Sequence, residues 1–208
     1  GSKVQVEFVS ANPTGPIHMG SARNAVLGDA VASVLQAAGY DVQREYYVND
    51  AGSRMSVFYE TLYVRYAQAL GLDEQVPEDG YQGPYMTAMG ERVAQEYGRR
   101  FVEMPREEAL AEIGKLGLET VVGQAREDLA LLGIQFDRWF SEQSLYKQGQ
   151  FEHIMSLMRQ GNHLDTHDGA VWFKASELGT SKDEVIIRSN GTPGYFASDI
   201  AYHYNKFV

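Results

Sequence analysis

The chain has 208 residues, 44% hydrophobic and 12% aromatic, enough to bury a core, which excludes disorder as its default state. It holds no cysteine, which excludes disulfides and thiolate metal sites, and its formal charge of −10 excludes a grip on nucleic acid by net charge alone. No apolar run approaches the roughly 20 residues of a membrane span and no signal-peptide pattern opens the chain, so no membrane partner and a cytoplasmic location are expected.

Val4 to Val9 reads as a strand, with Val4, Val6 and Phe8 on one face and Glu7 on the other. The turn from Ser10 to Ser21 contains Pro13, Gly15, Pro16 and Gly20, which leave its backbone few options. A helix is predicted from about Ser21. Val26, Leu27, Ala30, Val31, Val34, Leu35 and Ala38 recur at three- and four-residue steps, the pattern of one apolar face, and Gly39 stands where a C-terminal cap belongs. A strand feeding a helix N-terminus offers backbone N–H groups and a positive dipole end to an anion, and His18 stands at that junction; the arrangement suits phosphate. Asp41 to Val48 reads as a second strand, completing a βαβ unit of a parallel sheet. Asn49-Asp50-Ala51-Gly52 closes it at the rim where open α/β sheets bind ligands.

The pattern then changes. Met55, Phe58, Tyr59, Leu62, Tyr63 and Tyr66 mark a helix ending near Gly71, its aromatic stripe read as core packing. Residues 72–84 read as a loop, and Tyr85 to Phe101 as helical. A further helix is predicted from Pro105 to about Leu132, with Gly114, Gly117 and Gly123 weakening its continuity. Arg99, Arg100 and Arg106 form a basic run, either a local patch or a solvated helix end. Gln135 to Ser141 has strand character, Gln148 to Gln160 reads as a helix, and His163 to Lys174 as a β-hairpin turning at Asp168-Gly169. Glu184 to Arg188 is expected as a third parallel strand. Thr192-Pro193 then reads as an N-cap and first helical residue, and Tyr195, Asp199 and His203 share one face of the helix that follows.

The expected fold class is therefore α/β, an incomplete Rossmann-like parallel sheet with a mostly helical insertion: 1–52 the first part of the sheet domain, 53–180 the insertion with its small hairpin, 181–208 the return. A sheet with one side missing reads as a fragment. His153, His163 and His167 lack metal-ligand spacing, so no protein-bound metal is predicted.

Phe8 to Gly20 (Phe-Val-Ser-Ala-Asn-Pro-Thr-Gly-Pro-Ile-His-Met-Gly) resembles the first ATP-binding motif of class I aminoacyl-tRNA synthetases, usually His-Ile-Gly-His, and its flanks resemble the arginyl-tRNA synthetase family. Three further blocks resemble the same family in order: Tyr46 to Gly52, Glu78 to Tyr81, and Ile187 to Pro193 with Tyr195 to His203. The resemblance implies a ligase that activates L-arginine with ATP and passes it to the 3′ end of tRNA(Arg). It implies ATP contacts from Gly15, Pro16, His18, Gly20 and Ser21, with His18 and Ser21 catalytic. Ser21 stands where the motif's second histidine belongs, and a hydroxyl there can bond an oxygen or cap the helix but cannot carry charge. The resemblance further implies that Asp199 and Tyr195 grip the guanidinium with Glu7 assisting, and that Ser10 and Asn12 hold the amino acid's other end. Mg²⁺ would arrive with ATP. A monomer is expected. The family's second signature, Lys-Met-Ser-Lys-Ser, does not occur in these residues. The resemblance implies that tRNA is needed even to activate arginine, so the fragment alone is expected to be weakly active or inactive. Two alternatives stay open: an arginyl-synthetase-like module that binds arginine or ATP without catalysis, and a different adenylyl-transferring enzyme sharing the His-x-Gly turn.

Overall fold

The computed structural model describes residues 1–207, Tyr195 through its backbone alone. The chain divides into two compact units, Gly1–Phe140 and Ser141–Val208, each taken here by itself.

The first unit runs β1 (Lys3–Glu7), α1 (Met19–Ala37), β2 (Asp41–Val48), α2 (Ser53–Ala69), α3 (Pro84–Tyr97), α4 (Arg106–Leu131) and β3 (Arg138–Ser141, whose last residue opens the second unit). The sheet order is β1-β2-β3, and β1 pairs parallel to β2 with Val4 opposite Val42 and Val6 opposite Arg44. The strand, helix, parallel strand expected at the start of the chain is therefore present. Phe8, Tyr46 and Val48 from the sheet region are buried with Ala25 of α1 and with Leu129 and Ile134 at the end of α4.

The apolar stripe of α1 does not face this core. Val26 and Val34 are 56% and 68% exposed, Leu27 and Val31 are exposed too, and the buried residues are Ser21, Ala25 and Ala32. The reason is closeness: a Cβ on Gly28 would overlap the ring of Phe8. A helix lying that near a strand accepts only small side chains on its inner face, so the branched residues turn outward. Asp29 of α1 pairs with Arg44 of β2 at 2.8 Å and fixes the helix beside the sheet.

α2, α3 and α4 build their own core around Phe58, Leu62, Tyr66, Met86, Phe101 and Ile113. α4 passes unbroken through Gly114 and Gly117, where the missing side chains make room for Tyr59 and for Leu62 and Phe58 of α2. The Tyr66 hydroxyl donates to the Gly98 carbonyl at 2.7 Å and accepts from the Phe101 amide at 3.1 Å, which closes the connection between α3 and α4. The arginine run is not an open patch: Arg99 pairs with Glu103, Arg100 with Glu112, and Arg106 with Glu60 and Glu74.

The second unit contains α5 (Gln143–Lys147), α6 (Gln150–Gln160), β4 (Leu164–His167), β5 (Ala170–Phe173), β6 (Glu184–Ile187) and α7 (Tyr195–Phe207). β4 and β5 form the predicted hairpin, and Asp168 (φ 53°) and Gly169 (φ 72°) supply the two left-handed residues that a tight hairpin turn requires. β6, expected as a strand of the parallel sheet, instead pairs antiparallel with β5. A short connection brings it back beside the hairpin, where an antiparallel partner needs no crossover helix. Thr192-Pro193 does not open α7. Pro193 bridges to Ile187, its carbonyl accepts from the Arg188 guanidinium at 2.6 Å, and Thr192 bonds Asn190 through both amide and hydroxyl. That loop ties the pair down before the helix starts at Tyr195. No helix among the described residues is long and apolar enough to cross a membrane.

Candidate functional site

β1 ends at Glu7, two residues earlier than its alternation predicts, because the backbone kinks at Val9 (φ 66°) and Ser10 (φ 42°). A β-branched residue in the left-handed region is strained and persists only where its surroundings hold it. Here the Ser10 amide donates across Val9 to the Phe8 carbonyl at 3.0 Å, and the Val9 amide donates to Asn24 Oδ1 at 2.7 Å. Asn24 was not singled out from the sequence, though an asparagine inside a helix, where it is a poor former, is a hint of such work.

The kink gathers three of the expected residues at the C-terminal ends of β1 and β2. Ser10 Oγ donates to Glu7 Oε1 at 3.0 Å and accepts from the Tyr47 amide at 3.1 Å. Asn12 Oδ1 accepts from Asn49 Nδ2 at 3.2 Å. Asp50, buried just past β2, adds its charge to the burial that raises the Tyr59 phenol. Beneath the sheet end, Glu45 is fully buried, with Arg138 at 3.3 Å and Gln5 Nε2 at 3.1 Å. Nothing in the strand's sequence distinguished this carboxylate from an outward one.

Two phenols from different elements reach the turn. Tyr46 of β2 donates to the Ala11 carbonyl at 3.3 Å, and Tyr85 of α3 donates to the Thr14 carbonyl at 2.7 Å. Burial raises both phenols, so both remain donors. The Tyr85 ring also fills the place beside Gly15, where a Cβ would fall 2.9 Å from Cζ.

His18, expected in the turn, is the N-cap of α1: its Nδ1 accepts from the Gly20 amide at 3.0 Å. That bond assigns the neutral ring's proton to Nε2, which becomes a donor on an exposed side chain at the positive end of a 19-residue helix. Gly20 leaves room for the ring in this position, since a Cβ there would lie 2.9 Å from His18 Cε1. Ser21 does not cap the helix; it is buried on the inner face, with no side-chain hydrogen bond among the described residues.

In the second unit Asp199 stands on α7, and the His203 ring donates from Nδ1 to the Asp199 carbonyl at 2.7 Å. The Tyr195 side chain lies outside the described residues. Among the described residues no three potential metal ligands converge; His153 meets Tyr204, and the His167 ring stacks on Trp172.

Residues 1–207 match the family model described as tRNA synthetases class I (R), catalytic domain. The chain is 50% identical over 208 residues to the arginine–tRNA ligase of Dehalococcoides mccartyi (strain ATCC BAA-2100), and 47% identical over 206 residues to that of Bacillus subtilis. It spans 37% of the length of each. Among solved structures, the Thermus thermophilus arginyl-tRNA synthetase superimposes with a TM-score of 0.70 at 26% identity, covering 98% of this chain and 36% of that one. A Campylobacter jejuni structure assigned as an arginyl-tRNA synthetase gives 0.86 at 30% identity, covering 99% of this chain and 45% of that one.

Proposed function

Because this chain belongs to the class I tRNA synthetase (R) catalytic-domain family, we propose that it is the ATP- and arginine-binding part of an arginine–tRNA ligase, working in the cytoplasm as a monomer. In the first step the carboxylate of arginine attacks the α-phosphorus of ATP, forming arginyl-adenylate and releasing pyrophosphate. In the second, the 3′-terminal ribose hydroxyl of the tRNA takes the arginyl group and AMP leaves. Neither step asks the protein for a covalent bond; both ask for alignment and for donors placed where negative charge grows.

The observation that carries the reading is the His18 cap. With Nδ1 bonded to Gly20, the ring cannot rotate freely and presents its Nε2 proton at the helix end where a triphosphate would rest. Gly15 and Pro16 line the approach, and Ser21 supports it from the inner face of α1. Mg²⁺ comes as part of the ATP substrate. Glu7 and Ser10, joined to each other and to β2, and Asn12, joined to Asn49 just past β2, would hold the amino acid along the sheet rim, Ser10 and Asn12 at its α-amino and carboxylate end. Asp199, with Tyr195, supplies the charge that a planar guanidinium requires. In this reading residues 53–180 form the insertion that meets the acceptor end of tRNA, while 1–52 and 181–208 serve the nucleotide-binding part.

Arginine-dependent exchange of labelled pyrophosphate into ATP, with tRNA present, tests this in the complete protein. Exchange with arginine and none with citrulline or lysine is expected; a protein that binds both ligands without exchange is the non-catalytic module, a reading favoured by Ser21 in place of a histidine.

A further inference from the structure

Between Ala11 and Ile17 the described residues make no backbone–backbone hydrogen bond, and Pro13 and Pro16 have no N–H to give. The turn that delivers His18 is therefore held from outside, by the side-chain pair Asn12–Asn49 and by the two phenols on its carbonyls. Tyr46 belongs to the sheet, as a nucleotide-binding turn would lead one to expect. Tyr85 does not: it is the second residue of α3, 71 positions from Thr14, in a helix that packs on α2 within the helical module.

We propose that Tyr85 is a positioning residue for the ATP-binding turn, a latch through which the helical module sets the placement of His18. The proposal rests on the function proposed above and adds to it a residue outside the motif. Three features support a latch over incidental packing. The hydroxyl bond to Thr14 has the 2.7 Å length of a well-formed O–H···O bond, and burial raises the phenol's pKa further from neutrality. The ring is seated between two glycines, Gly15 of the turn and Gly83 before α3, each of which leaves the space its Cβ would take. The ring, with Pro16, Met89 and Val121, also lines a cavity of about 370 Å³, so one side of it is unpacked while the rest packs against the core of α2, α3 and α4.

The test is Tyr85→Phe, which keeps the ring and its packing and removes only the donor. In the complete protein, kcat/KM for ATP in pyrophosphate exchange should fall about 3- to 10-fold, the range of one neutral hydrogen bond, with KM for arginine within about twofold of the parent. In the 208-residue chain, nitrogen-15 relaxation should show the Gly15 and Gly20 amides more mobile on the nanosecond scale and the β2 amides unchanged. Unaltered turn relaxation with unaltered ATP kinetics would overturn the latch, as would equal losses for ATP and arginine. Should the parent protein show no arginine-dependent exchange, the function proposed above falls, and the relaxation comparison still decides the latch.

Discussion

The imidazole of His18 occupies the space that a side chain on Gly20 would need, and accepts the Gly20 amide into its Nδ1 at 3.0 Å. Histidine and glycine two residues apart thus form one device in which the glycine makes room for the ring that caps the helix. It follows that His18 carries two separable roles, and variants can separate them. His18→Ala should lose both: about 1 kcal/mol of stability from the cap, read as a lower urea midpoint, and on the order of a hundredfold in the rate of adenylate formation. His18→Asn restores a good N-cap without a donor at the Nε2 position. Its midpoint should return close to the parent's while the rate stays low; recovery of the rate would reduce His18 to a cap.

Asp199 is expected to act on arginine alone. Asp199→Asn keeps the shape and removes the charge, so KM for arginine should rise on the order of a hundredfold, with KM for ATP near the parent's. Discrimination against citrulline, which lacks the cation, should shrink in parallel. Glu7→Gln should do less, because the Glu7 carboxylate is exposed and already accepts from Ser10. A Michaelis constant for arginine that ignores Asp199→Asn would remove α7 from the arginine site.

The glycines of α4 make a prediction of opposite signs. A Cβ on Gly117 would fall 2.5 Å from Leu62 Cδ2 and 3.1 Å from Phe58 Cε1, both in fully buried side chains, whereas one on Gly123 would meet nothing within 4 Å. Gly117→Ala should destabilise by about 1–3 kcal/mol through overpacking. Gly123→Ala should stabilise by up to about 1 kcal/mol through helix propensity. Urea unfolding of the two variants beside the parent chain reads both signs.

Those glycines also mark what a sequence conceals. Read along the chain they look like weak points, and only the neighbouring helix reveals that two of them are contact surface. The same holds for α1, whose branched residues give a clean 3.6-residue stripe while Ala25, Gly28 and Ala32, inconspicuous in sequence, take the inner face. Periodicity reports which residues share a face; it does not report how near the partner lies. Local chemistry was legible where it is self-contained. β2 has its predicted bounds, α2 buries its aromatic stripe, and Asp168-Gly169 turns the hairpin. β6 was visible as a strand but not its partner, because a four-residue strand reads the same beside a parallel or an antiparallel neighbour. Within the site, the bonds joining Glu7, Ser10 and the β2 amide follow from the kink at Val9, and the kink depends on Asn24, a residue in another element.

Asp183 gives the second unit a predicted acid response. Its carboxylate accepts from the Ser176 hydroxyl at 2.6 Å and from the Ser176 amide at 2.9 Å, and these two bonds, the hydroxyl's first, hold its pKa below the ordinary aspartate value. A group whose pKa is lower in the folded chain binds fewer protons there than in the unfolded one. Its contribution is therefore complete above the unfolded value, near 4, and is lost as the pH falls through the lower folded value. The loop between Ala175 and Asp183 should loosen only in that acid range. The Ser176 amide shift, followed by NMR from pH 6 downward, should show a single inflection with a midpoint below 4. Because hydrogen bonds and not distant charges dominate, added salt should move that midpoint little. Asp183→Asn should abolish the inflection; its persistence would assign the titration to another carboxylate.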